Sequence, residues 1–175
     1  IRDAAWELAD RDGRRDAILA AHEAFLLGVL APWHGESFGF DAPGVVRALA
    51  PWRADLHELY GRRVAAGDLD GVAELVDGLY WYWDAAGLRQ EAERLLAQAL
   101  VLGETNPDHP QLGFIRSLHS SIGGTFGWQA DHLDEVARAL SESERHDHRL
   151  GIFTAHLGLA MGHGWKGDLA LAEQH

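Results

Sequence analysis

A chain of 175 residues, 47% hydrophobic and 24% charged, has the size and composition of one ordinary folded domain, which excludes a disordered tail or a collagen-like fibre. Its 15 Lys and Arg stand against 27 Asp and Glu, a formal charge of −12 that repels phosphate backbones, so direct nucleic-acid contact is not expected. Cysteine is absent, which excludes disulfides, a thiol nucleophile and thiolate-bound metals and fits a cytoplasmic protein.

The opening IRDAAWELAD has neither a basic n-region nor an apolar h-region, so no signal peptide is expected. Uninterrupted apolar runs fall short of the about 18 residues of a membrane span, so no membrane contact is expected either. The first helical stripe joins Ile18, Phe25 and Val29 to Leu19, Leu26 and Leu30. An irregular stretch follows over residues 32–44, PWHGESFGFDAPG, whose aromatics need cover from neighbouring helices. Trp52, Leu56, Tyr60 and Val64 form the second stripe, just after Pro51, which a first helical turn tolerates. Leu69, Val72, Val76, Leu79 and Trp83 form the third, and Leu88, Ala92, Leu95, Leu96, Ala99 and Leu102 the fourth. Beyond a second irregular stretch at 103–110 come Leu112, Ile115, His119, Ile122 and Phe126, then Leu133, Val136 and Leu140, then Leu150, Phe153, Leu157 and Ala160. Nothing alternates with period two for long, so the chain reads as all-α.

The connections Ala66-Gly67-Asp68, Ala86-Gly87 and Lys166-Gly167-Asp168 are short enough to fold consecutive helices back antiparallel. Leu79, Gly87 and Ala92 recur at identical spacing as Leu159, Gly167 and Ala172, 80 residues later, which is two units of about 40. The glycine permits a tight turn and the alanine lets two helix backbones approach. Between them the unit is degenerate, with Asp131 and Val136 in the comparable places. Antiparallel hairpins stacked as a tetratricopeptide-like α-solenoid are the predicted architecture.

The segment Leu79-Tyr80-Trp81-Tyr82-Trp83-Asp84-Ala85-Ala86-Gly87-Leu88-Arg89-Gln90-Glu91-Ala92-Glu93-Arg94-Leu95-Leu96-Ala97-Gln98-Ala99-Leu100 resembles the aromatic helix, glycine turn and leucine-alanine helix in the repeat region of bacterial STAND-class transcriptional regulators. Ile1 to Ala9 resembles the helix leaving the winged-helix subdomain of their NB-ARC-type ATPase module, and His22 to Phe25 the helix after it. Trp52 to Tyr60 with Ala66-Gly67-Asp68 is similar to the lead into the repeats, and Ala155 to Glu173 to a further repeat. The chain departs from the pattern at Tyr80, where a small residue is usual, and in the middle repeat. The resemblance implies a helical linker over 1–50 and tetratricopeptide-like repeats over 51–175. It also implies a non-catalytic sensing and interaction arm for an ATP-dependent switch located outside this segment. Partners would be another protein, domains of the same polypeptide, or a small-molecule effector; no cofactor is implied for the segment itself.

Candidate chemistry is sparse. Ile122-Gly123-Gly124-Thr125-Phe126-Gly127 has glycines but no Gly-Lys-Ser/Thr after them, so it does not make a phosphate loop. His146-Asp147-His148, with His119 and Asp168, offers the ligand types of an HD-type metal phosphohydrolase, the enzyme alternative to a repeat-type adaptor. His156 and His163 lie seven apart, about two turns or roughly 10 Å, too far to share one ion unaided. No elbow motif surrounds any serine. The run Tyr80 to Trp83 samples every side of a helix, so Trp81 and Tyr82 need a neighbouring helix, a partner or a ligand to cover them. Acidic residues from Asp131 to Asp147 make either a solvated face or a docking surface for a basic segment. Trp81, Tyr82, Trp128, Asp131 and Glu135 are the candidate partner-binding residues.

Overall fold

The computed structural model describes residues 11–35, 41–124 and 130–175, and all regular structure among them is helical. The helices are α1 (Arg15–Leu30), α2 (Ala42–Leu49), α3 (Arg53–Ala65), α4 (Leu69–Ala85), α5 (Arg89–Gly103), α6 (Leu112–Gly124), α7 (Ala130–Arg145), α8 (Arg149–Lys166) and the single turn α9 (Leu169–Ala172). Short 3-10 turns, Ala31–Trp33 and Ala50–Trp52, extend α1 and lead into α3. The predicted linker helix at Ile1 to Ala9, with Phe126 and Trp128, lies outside the described residues.

Four helix ends close in the same way. The N–H of Asp68 donates to the Arg63 carbonyl, that of Leu88 to Trp83, that of His148 to Ser143 and that of Asp168 to His163, each spanning a left-handed residue. Gly67, Gly87 and Gly167 fill that position with φ of 73°, 69° and 83°, and Asp147 fills it at 51°. Glycine adopts this conformation without a Cβ clash, and the paired bonds satisfy carbonyls that the helix end leaves open. The next helix then starts on a fresh cap at two of these turns: the Asp68 carboxylate accepts the Gly71 N–H at 2.9 Å, and His148 Nδ1 accepts that of Gly151 at 2.9 Å.

Each helix from α3 to α9 packs on the next in sequence; α3 also meets α5, α4 meets α6, and α6 meets α8. Leu69, Val72, Val76, Leu79 and Trp83 are all buried, as their spacing predicts. The Tyr60 hydroxyl donates to the Leu95 carbonyl at 2.5 Å, binding α3 to α5, and burial pushes its pKa far above the ordinary phenol value. Arg53 pairs with Glu91 across the same two helices. Arg116 joins α6 to α7 by bonds to Glu135 at 3.1 Å and Glu142 at 3.0 Å. Ser117 and Thr154 share a 2.7 Å hydrogen bond between α6 and α8.

Arg15–Trp33, which is α1 with its 3-10 turn, is the helix among the described residues long and apolar enough to cross a membrane, with a mean hydropathy of 1.3. This differs from the expectation drawn from uninterrupted apolar runs, because isolated polar residues such as Glu23 break a run without lowering the window average much. Here Glu23 pairs with Arg63, while Leu26 and Leu30 are buried in the core and α1 touches α2, α3 and α4. Ile18 and Phe25, assigned to the same stripe, remain exposed.

Candidate interaction groove

Alternate helices build one concavity together: α4, α6 and α8 each turn one face toward a cavity of about 40 Å³. On α4 the core takes Val72, Val76, Leu79 and Trp83, which leaves Asp77, Tyr80 and Trp81 on the face beside it. α6 supplies the floor with Phe114 and Leu118, and α8 supplies the far wall with Phe153, Leu157 and Met161.

The wall from α8 corrects an expectation. Leu150, Phe153 and Leu157 read as a core stripe, yet all three are only half-buried and line the groove. The helix instead buries Gly151, Ala155, Gly158, Leu159 and Gly162. Close approach explains the choice. A Cβ on Gly158 would stand 3.2 Å from Val136 of α7 and 3.1 Å from Ser121 of α6, and one on Gly151 would stand 3.0 Å from the Ser143 Cβ. Small residues win this face because they let three helices converge.

Asp77 accepts the Gly35 N–H with both carboxylate oxygens, at 3.1 and 3.2 Å, and so ties the segment after α1 to α4. Burial raises its pKa, opposed by the Gly35 bond and by His34 and His148 nearby. The ring of His34 lies over Gly78, whose missing side chain makes the room: a Cβ there would meet it at 2.8 Å. Burial pushes the Tyr80 hydroxyl up to about 12, with Asp84 adding and Arg89 opposing. Tyr80 and Trp81 meet edge to face with centroids 5.1 Å apart. At the α8 entrance, the His148 ring stacks on Phe114 at 5.9 Å, and burial holds its pKa below the ordinary histidine value.

Of the candidate partner-binding residues among the described ones, Trp81 alone lines this groove. Tyr82 is 3% exposed and belongs to the core. Trp128 lies outside the described residues. Asp131 is exposed at the start of α7 and accepts the N–H of its neighbour His132 at 3.1 Å. Glu135 is held by Arg116 and by Arg138, the latter at 3.3 Å, so it fastens α7 to α6. Asp77 and Phe114 were not named from sequence as site residues, and Phe153 and Leu157 were named only as part of a helical stripe. The only signal for the last two was that their stripe continues through Met161 to Trp165 on the same helix face, beyond what a core needs.

The histidines are dispersed to separate tasks. His146 Nε2 lies 3.2 Å from Asp108, which also accepts from Arg145, while His148 caps α8. His119 stands half-buried on α6, with its pKa lowered by burial. His156 and His163 both meet His175, at 3.2 Å between ring nitrogens and at 5.9 Å between stacked rings. Among the described residues, no three His, Asp or Glu side chains converge on a point that would hold a metal ion. Comparison with family models, curated proteins and solved structures found no match to this chain.

Proposed function

We propose that this chain is a non-catalytic sensing and protein-interaction arm of a bacterial STAND-class transcriptional regulator. In this reading, α4 with α5, α6 with α7 and α8 with α9 are tetratricopeptide-like hairpins stacked as a solenoid. The first helix of each hairpin then lines one surface. The observation that carries the reading is the groove itself, to which three successive first helices contribute apolar and aromatic side chains. Left-handed turn residues at 67, 87, 147 and 167, all multiples of 20 apart, support a periodic array. An ATP-dependent switch elsewhere in the same polypeptide would be held in one state by this arm, and an effector in the groove would bias it by binding one state more tightly.

The test is nucleotide exchange by the full-length polypeptide with the native groove and with Leu157→Glu, which places a charge in its apolar wall. The regulatory reading expects the exchange rate to change by severalfold. An unchanged rate together with lost partner binding replaces it with a free-standing adaptor, for which the same groove would suffice.

A further inference from the structure

We propose that the occupant of the groove is an amphipathic helix of a protein partner carrying one apolar and one basic stripe. The inference rests on reading the groove as an interaction surface, and adds what fits it. The two walls differ in chemistry. All four charged residues of α4, Asp70, Glu74, Asp77 and Asp84, are acidic, and the helix contains no Lys or Arg. Their spacing of four, seven and fourteen residues from Asp70 sets them along one side of the helix, the side that carries Tyr80 and Trp81. Asp84 is matched by Arg89 at 3.0 Å, whereas Asp70 meets Gln111 and His109 with His148 nearby, and Glu74 is exposed, with Arg63 the cation that feels its charge. A second concavity runs on from the first along this edge, between Asp70, Glu74 and Asp77 on one side and Phe114, His148 and Leu150 on the other.

The facing wall is apolar. Leu150, Phe153, Leu157, Met161 and Trp165 follow one another at three- and four-residue steps along α8, the last two 52% and 71% exposed. Side chains of that size left open to water are typical anchors for a partner. The one arginine of α6, Arg116, is turned away to Glu135 and Glu142, so no cation from the floor neutralises the acidic wall.

The length of the groove suits a helix. The cavity of about 40 Å³ has room for one inserted side chain. The groove passes from α4 across α6 to α8, so a single helix lying in it would touch all three. Such a helix would lay its leucine-like anchors against Phe153, Leu157 and Met161 and its lysines or arginines along Asp70, Glu74 and Asp77.

The experiment is fluorescence anisotropy of the intact chain with three labelled peptides of about 18 residues, five helical turns. One has leucines at helical spacing with lysines opposite, the second replaces lysine with glutamate, and the third scrambles the first. The Leu/Lys peptide is expected to bind at least about tenfold more tightly than either control and to weaken as salt is raised. Reversing the rim with Asp70→Lys and Glu74→Lys should weaken it at least about tenfold and strengthen the Leu/Glu peptide. Leu157→Glu should abolish its binding with helicity unchanged. Equal binding of all three peptides, no binding of the Leu/Lys peptide, or indifference to rim reversal overturns the inference. If Leu/Lys and Leu/Glu peptides bind alike and Leu157→Glu removes both, the charge assignment fails while the groove remains an interaction surface.

Discussion

His148 does at the start of α8 what Asp68 does at the start of α4: each accepts a backbone N–H three residues on, both at 2.9 Å. The two caps respond to acid differently. The Gly71 bond, with Arg63 helping, holds the Asp68 carboxyl below its ordinary range, so its cap survives well into acid. His148 can accept only while Nδ1 carries no proton. Burial lowers its pKa, His146 adds to the effect, and its own backbone bond with the carboxylates of Asp70 and Asp77 opposes it. The unfolded chain therefore takes up a proton near the ordinary histidine pKa of about 6.5, before the folded chain does. Between those two values the unfolded state binds more protons, so stability is full above about 6.5 and declines as pH falls toward the folded value. His119, also lowered by burial, contributes with the same sign. Urea midpoints measured from pH 7.5 down to about 5 should fall for the wild type. The decline should be shallower in His148→Asn, whose amide caps without titrating. Equal slopes in the two proteins would show that the cap is not the acid-sensitive element.

The turns between helices show what a sequence can and cannot announce. Gly67, Gly87 and Gly167 mark three of the four left-handed ends, and the recurrence of Leu79, Gly87 and Ala92 at 159, 167 and 172 was readable from spacing alone. The fourth carries no glycine to announce it, because Asp147 does the same work at φ 51°. A left-handed conformation costs a residue with a Cβ about 1 kcal/mol, a cost that aspartate tolerates better than most. Asp147→Gly should therefore stabilise the fold by about 0.5–1 kcal/mol, read as a higher urea midpoint with an unchanged slope. A lower midpoint would mean that the Asp147 side chain contributes more than its backbone strain removes. The same limit applies to faces. The α4 stripe was legible because its large residues do point inward, whereas on α8 the large residues point into the groove. Gly151, Gly158 and Gly162 take the inner side there. Hydrophobic size predicts burial only where helices stand at ordinary distance; where they converge, the smallest residues are buried. The groove was thus half visible: Trp81 could be named, but its opposite wall was counted as core.

Buried apolar residues are distributed unevenly over the whole molecule. One cluster runs from Leu26 through Trp83 and Leu96 to Ile122, and a separate, smaller one holds Leu133, Val136, Ala155 and Leu159 with Leu140 against it. The second, between α7 and α8, contains among the described residues no aromatic side chain and far less apolar area, which at roughly 25 cal/mol per Å² gives it a shallower local free-energy well. The α7–α8 unit packs on α6 through small residues, Gly113 against Ala139 and Ser143 and Gly158 against Ser121, with the Ser117–Thr154 bond and the Arg116 pairs beside them, contacts that bury little apolar area. Native-state hydrogen exchange should accordingly show amides of α7 and α8 opening at lower free energy than those of α4 and α5, with a smaller dependence on denaturant. If all four helices exchange along a single global isotherm, the molecule unfolds as one unit and the smaller core is not independent. The distinction bears on the groove, because its apolar wall rides on the less stable pair. A helix that binds across α4 and α8 must suppress that local opening, by about 2.7 kcal/mol when present at a hundred times its dissociation constant. Protection gained in α8 and not in α5 on adding the Leu/Lys peptide would locate the bound helix and show that occupancy is coupled to the order of the C-terminal half.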